Sequence, residues 1–181
     1  TIEQALKTLS LASRYRYVSV IDADTMVHQD FFRHTLAAFK HTSDAAAICG
    51  QPRSIPHNWL TAFRAVEYAF TLWAFKDAQS KYDVVMGAPG CATTYRSEVL
   101  AGIDWHPEDI IIEDIDATTQ IHRKNLGRII YEKRAIVYTQ DPDTLNAYRK
   151  QVKRWSLGIW QAARVYDIPF QWKRLDAEYL L

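Results

Sequence analysis

The sequence predicts an α/β domain whose strands lie beneath helices, and two stretches carry that expectation. Tyr17-Val18-Ser19-Val20-Ile21 is a short apolar, β-branched run that stops at two carboxylates, Asp22 and Asp24. Ile110-Ile111-Ile112 repeats the theme and runs into Glu113, Asp114 and Asp116. Short continuous apolar runs suit strands covered on both faces, as in a parallel sheet under helices. The open ends of such strands are where α/β proteins place their ligands.

Composition agrees with this class. A chain of 181 residues suits one domain with a substantial core. A content of 48% hydrophobic and 24% charged residues is globular and not disordered. The formal net charge of +1 gives no general electrostatic case for nucleic acid or an anionic membrane. Cys49 and Cys91 make no disulfide framework, so a reduced, cytosol-facing compartment is expected. No apolar run approaches membrane-spanning length, no signal peptide opens the chain, and no internal repeat is visible.

In chain order, Ile2 to Ala12 reads as an amphipathic helix with Ile2, Ala5, Leu6 and Leu9 on one face. The strand at Tyr17 follows. Doubly wound domains carry nucleotide-cradling strands ahead of such a motif and none precedes it here, so the chain reads as the later part of a larger protein. Asp30 to Phe39 reads as a helix burying Phe31, Phe32, Leu36 and Phe39. Ala45 to Cys49 is a short buried strand, and Gln51 to His57, with Pro52 and Pro56, is a loop. From an N-cap at Asn58 a helix runs to about Gln79. Its many aromatic residues, Trp59, Phe63, Phe70, Trp73 and Phe75 among them, read most simply as core. A sugar-facing wall is the sharper alternative, because carbohydrate rings stack on aromatic faces.

Val84-Val85-Met86 reads as a strand running into a small-residue turn, Gly87-Ala88-Pro89-Gly90-Cys91. Thr93 to Tyr95 is again a strand, and Ser97 caps a helix through Leu100. Asp116 to about Asn125 is helical with Gly127 as its stop, and Arg128 to Val137 is a strand. Asp141-Pro142-Asp143 reads first as a turn, before a long helix from about Thr144.

The chemistry-bearing residues admit two readings each. In an extended segment, residues two apart share a side, so Asp22 and Asp24 can face one cation. Hard divalent cations take carboxylate oxygens and fill their other positions with water and substrate phosphates. The plain alternative is a pair of turn or cap aspartates. Asp114 stands near a helix N-terminus, where negative charge is stabilised, and reads either as a cap or as a general base at the mouth of the same sheet. Gln151 and Trp155 share a helical face with Arg154 at its edge. Arg pairs with phosphate and Trp stacks on rings, but a surface Gln–Arg pair beside a core Trp is the bland reading. Cys91 has no activating His nearby in sequence and reads as a buried small residue, not a nucleophile.

Together these pieces resemble the family-two glycosyltransferases, in particular the processive branch that makes cellulose, chitin, hyaluronan and poly-N-acetylglucosamine. The matching text is Val20 through Thr25, Gly87 through Arg96, Ile112 through Asp116, and Gln151-Val152-Lys153-Arg154-Trp155, the last being the Gln-x-x-Arg-Trp signature of that branch. The resemblance implies a GT-A fold, here without its N-terminal nucleotide-binding strands. It implies that Asp22 and Asp24 hold Mg²⁺ or Mn²⁺ on the donor diphosphate, with Asp24 the direct ligand. It implies that Asp114 is the general base and that Gln151 and Arg154 contact the diphosphate. Trp155, Gly87 and Glu113 would then belong to the acceptor site. The implied activity is inverting transfer from a UDP-sugar to a growing β-linked polysaccharide or a glycolipid, at the cytoplasmic face of the cell membrane.

The sequence departs from the family at Ile112, where Thr is common, and in lacking the upstream uridine-binding strands and the membrane helices. Residues 1–165 are read as the later part of the catalytic domain and 166–181 as a tail, with Trp160, Phe170 and Trp172 suited either to a membrane interface or to a soluble helix and frayed end. Rival readings are a non-processive lipid glycosyltransferase, a metal-dependent phosphohydrolase, and a non-catalytic carbohydrate-binding remnant.

Overall fold

In a computed structural model that describes residues 2–104 and 109–168, five strands form one mixed sheet. They are β1 (Tyr17–Val20), β2 (Met26–Val27), β3 (Ala45–Ser54), β4 (Thr93–Arg96) and β5 (Arg128–Thr139), in the spatial order β1-β4-β3-β5-β2. Only the central β3–β5 pair is parallel, and the other neighbours are antiparallel. The expected parallel sheet is therefore confined to its middle. Val84–Met86 and Ile110–Ile112 are not strands either, although Val84, Val85, Ile110 and Ile112 are buried as a strand's residues would be. An apolar run of three reports burial without fixing extended pairing.

Helices α1 (Ile2–Thr8) and α2 (Leu11–Arg14) replace the one amphipathic helix expected, because Ser10 takes a left-handed conformation between them. Helix α3 (Phe31–His41) buries Phe31 and Phe39 against the sheet but leaves Phe32 and Leu36 half exposed, so only half its expected face is core. Strand β3 extends into the segment read as a loop, as far as Ser54, since Pro52 and Arg53 pair in parallel with Val137 and Tyr138. On the sheet's other side, helix α6 (Ser97–Ala101), helix α7 (Glu113–Arg123) and the Val84–Ala88 segment pack Val85, Ala88, Val99, Leu100 and Ile121 onto Ala47, Cys49, Tyr95 and Ile129. Ser97 begins α6 and does not cap it; its hydroxyl donates to the Tyr15 carbonyl.

The aromatic helix departs most from expectation. Asn58 caps α4 (Trp59–Tyr68) through a capping box with Thr61, but a π-helical segment (Ala69–Phe75) follows before α5 (Lys76–Tyr82). Trp59, Phe63, Phe70, Trp73 and Phe75 are exposed, which overturns their reading as core. The inward face instead carries Leu60, Thr61 and a fully buried arginine, Arg64. Helix α8 (Leu145–Val165) starts at its Thr144 N-cap as predicted and leaves Trp160 exposed. Phe170 and Trp172, and nearly all of the tail, lie outside the described residues. Among the described residues no helix is long and apolar enough to cross a membrane.

Candidate active site

Strand β1 stops at Val20, and the chain then turns instead of running on extended, with the Thr25 N–H donating to the Asp22 carbonyl at 3.1 Å. The extended geometry expected for Asp22 and Asp24 is thus replaced by a tight turn, which still keeps their carboxylates within each other's field. The Asp22 carboxyl is pushed above its ordinary value, first by partial desolvation, then by Asp24 and Glu113, while Arg154 of α8 draws it down. Asp24, Glu113 and Arg154, from three separate segments, therefore all act on Asp22 electrostatically.

Helix α7 begins at Glu113, earlier than predicted, so Asp114 lies in its first turn, where the helix N-terminus favours negative charge. One carboxylate oxygen, Oδ2, accepts from the Gly90 N–H at 2.9 Å. A Cβ at position 90 would stand 3.3 Å from that oxygen, so glycine gives the amide its close approach. The other oxygen, Oδ1, is buried with no hydrogen-bond partner among the described residues. Burial raises the carboxyl to about 6; Glu113 adds to the rise, and the Gly90 and Ile115 N–H groups and the Lys76 charge oppose it. Asp116, in the same Asp-x-Asp pattern, turns away into the core and accepts from Gln120 Nε2 at 3.0 Å. The repeated pattern thus serves two different purposes.

Cys91 joins the two carboxylate groups. Its thiol is pushed up to about 12, by burial first and then by Asp22, Asp114 and Asp24, so it stays protonated and is no nucleophile. Gly87 contributes its carbonyl, which accepts from the Lys76 ammonium. On α8, Gln151 Oε1 is buried without a hydrogen-bond partner among the described residues, and Arg154 is exposed beside Asp22. Trp155 packs inward, with the Arg64 guanidinium 5.3 Å from its ring centroid. Gly158 sets how closely α8 approaches the start of α7: a Cβ there would stand 2.1 Å from Ile112 Cγ1.

Arg64 and its partners were not read from the sequence as functional. The Arg64 Nε donates to Asp141 Oδ1 at 3.3 Å, its Nη2 donates to the Tyr68 hydroxyl at 2.8 Å, and its Nη1 pairs with Glu67. Tyr68 and Tyr148 present ring faces at 4.4 and 5.3 Å. Asp141, read first as a turn residue, is therefore a buried anchor that holds α4 to the entry of α8. The available signal was Arg64, Glu67 and Tyr68 at i, i+3 and i+4, one polar face inside an apolar helix. Beside this cluster, Gln51, Arg53, Ser54, Tyr68 and Trp73 line a groove of about 340 Å³.

Among the described residues, no three His, Cys, Asp or Glu side chains gather into a metal-ligand set. Asp22 and Asp24 still suit Mg²⁺ or Mn²⁺, which need only one or two protein carboxylates when phosphates and water supply the rest. The like-charge pressure on Asp22 is what a bound cation would relieve.

A family model described as glycosyl transferase family group 2 matches residues 17–180. The poly-beta-1,6-N-acetyl-D-glucosamine synthase of Staphylococcus aureus (strain COL) is 30% identical over 158 residues, covering 87% of this chain and 37% of that protein. The Staphylococcus epidermidis protein of the same name is 29% identical over 145 residues, covering 80% and 35%. The chain thus spans little more than a third of these curated relatives.

Proposed function

The chain belongs to glycosyl transferase family group 2, and on that premise we propose that it carries the base and acceptor side of an inverting, polysaccharide-forming glycosyltransferase with a UDP-sugar donor. The GT-A reading accords with its mixed sheet flanked by helices. The observation that carries the proposal is the Asp114 carboxylate: one oxygen tethered to Gly90, the other buried and free to accept, and a pKa near 6. A base poised close to neutrality is efficient at removing a proton as a bond forms.

In the proposed reaction the acceptor hydroxyl oxygen attacks the anomeric carbon while the bond from that carbon to the diphosphate oxygen breaks. The departing UDP keeps the electron pair, and the hydroxyl proton passes to Asp114 Oδ1. Gly90 holds Asp114 in register, and Arg154 offers positive charge to the diphosphate. Gln151 contacts the diphosphate and Trp155 stacks beneath the terminal acceptor sugar, with Glu113 and Gly87 bounding that site. A divalent cation held by Asp22 and Asp24 would act as a Lewis acid toward the leaving group. The free Cys49 and Cys91 accord with a reducing, cytosol-facing setting.

The test is turnover by the full-length protein with Mg²⁺ or Mn²⁺ and UDP-glucose, UDP-N-acetylglucosamine or UDP-glucuronate. UDP release with acceptor growth, abolished in Asp24→Ala and in Asp114→Asn while the latter still binds donor, is expected. Near-normal turnover by Asp114→Asn would overturn the assignment.

A further inference from the structure

Lys76 is a half-buried amine that the reaction above does not use. It is the first residue of α5, directly after the π-helical segment, and π-helical turns recur at functional sites. In an unbroken α-helix, Lys76 would lie about 120° around the axis from the inward-facing Arg64, at about 100° per residue. An i→i+5 pattern advances by roughly 80° per residue, so its seven residues lag by about 140°. That lag returns Lys76 to the inward face. There its ammonium donates to the Gly87 carbonyl, at the start of the turn that ends in Gly90.

The turn is held from two sides. From α7, the Thr118 hydroxyl accepts the Ala88 N–H at 2.9 Å and Asp114 Oδ2 accepts the Gly90 N–H at 2.9 Å. From α5, Lys76 supplies the third tether. We propose that Lys76 is a positioning residue for the general base: the π-helical segment delivers its ammonium beneath the Gly87–Gly90 turn, and this fixes the Gly90 amide that orients Asp114.

The titratable groups acting on the pair come from several elements. Desolvation draws the Lys76 ammonium below its ordinary value, and Cys49 of β3 and Asp114 of α7 oppose that fall. Asp114 meets Glu113 on its own helix, Lys76 from α5, and Cys91 and Tyr95 from the turn and β4. Of these, Lys76 alone brings positive charge to Asp114, and it draws that carboxyl down against burial. Removing it raises the pH at which the base ionises.

The inference rests on the general-base reading, and its experiment separates the two. In the full-length enzyme, Lys76→Met is expected to lower kcat at least tenfold with donor KM within twofold of wild type, and to shift the acid limb of the pH–rate profile upward. Lys76→Gln, which keeps an N–H for the Gly87 carbonyl without the charge, is expected to recover most of kcat but to keep the shifted limb. An unchanged kcat and limb in Lys76→Met, with Asp114→Asn inactive, overturns the role of Lys76 alone. A folded Lys76→Met enzyme that loses donor affinity in step with kcat also overturns it. Activity in Asp114→Asn removes the base itself.

Discussion

Replacing Asp114 by Asn is expected to stabilise the fold while abolishing turnover, and the gain follows from the site. Burial lifts this carboxyl from 3.8 to about 6, so at neutral pH the folded protein holds a charge it would rather not carry. A tenfold change in a protonation equilibrium corresponds to about 1.4 kcal/mol, which puts the penalty on the order of 2–3 kcal/mol. The sign is that of a raised acid: below the unfolded value both states are protonated and the penalty is absent. It grows as pH rises from about 4 to 6 and is complete above that. The Asn amide brings N–H groups that find no acceptor at Oδ1, costing about 1 kcal/mol and leaving a net gain of roughly 1–2 kcal/mol. For a domain of this size, Tm should rise by roughly 2–8 °C at pH 7.5, with the advantage disappearing near pH 4. Thermal unfolding of both proteins across that range is the assay. A variant less stable than wild type at pH 7.5, or an offset independent of pH, would refute the account of Asp114 as a strained, desolvated base.

Wild-type kcat/KM should fall as pH drops through about 6, because the base must be ionised, and a pH–rate profile reads this directly. Gly158→Ala should cost at least about 2 kcal/mol by unfolding, since Ile112 would have to retreat by more than an ångström. Turnover should fall with it, because Ile112 leads directly into Glu113 and Asp114. Arg64→Met should cost about 3–5 kcal/mol by leaving the buried Asp141 carboxylate without its ion-pair partner, held by the Tyr68 hydroxyl, with partial recovery when Asp141→Asn is added.

The fold class was legible in the sequence, and certain residues stood out within it as candidates for a site. Asp22, Asp24, Asp114 and the 151–155 helix stood out because ligand chemistry restricts residue type, and the structure draws Asp22, Asp24, Glu113 and Arg154 into one electrostatic group. Gly90, Lys76 and Arg64 were not legible. The role of Gly90 is a backbone amide that any residue carries, and glycine there reads equally as a turn. Lys76 faces inward only through a change of helical register, which periodicity at 3.6 residues misassigns. Arg64 is buried by partners far along the chain, chiefly Asp141. Strand pairing was read poorly for a related reason: runs such as Val84–Met86 and Ile110–Ile112 report burial, whereas neighbours in a sheet are set by distant segments. The exposed aromatic face of α4 misled because hydrophobicity says that a residue prefers cover without saying what covers it.

The parallel pairing of β3 with β5 carries a cost during synthesis. Residues opposite one another there, such as Ile48 and Ile130, are far apart in the chain, and everything from α4 to α7 is made between them. On the ribosome, β3 therefore waits with both edges unsatisfied while the most aromatic segment of the protein emerges beside it, and its β5 edge waits longest. Pairings this non-local form slowly, and an unpaired strand edge next to exposed apolar surface invites aggregation. Slower elongation or a chaperone acting in that interval should raise the yield of folded protein, whereas substitutions within the finished site should leave that yield largely unaltered.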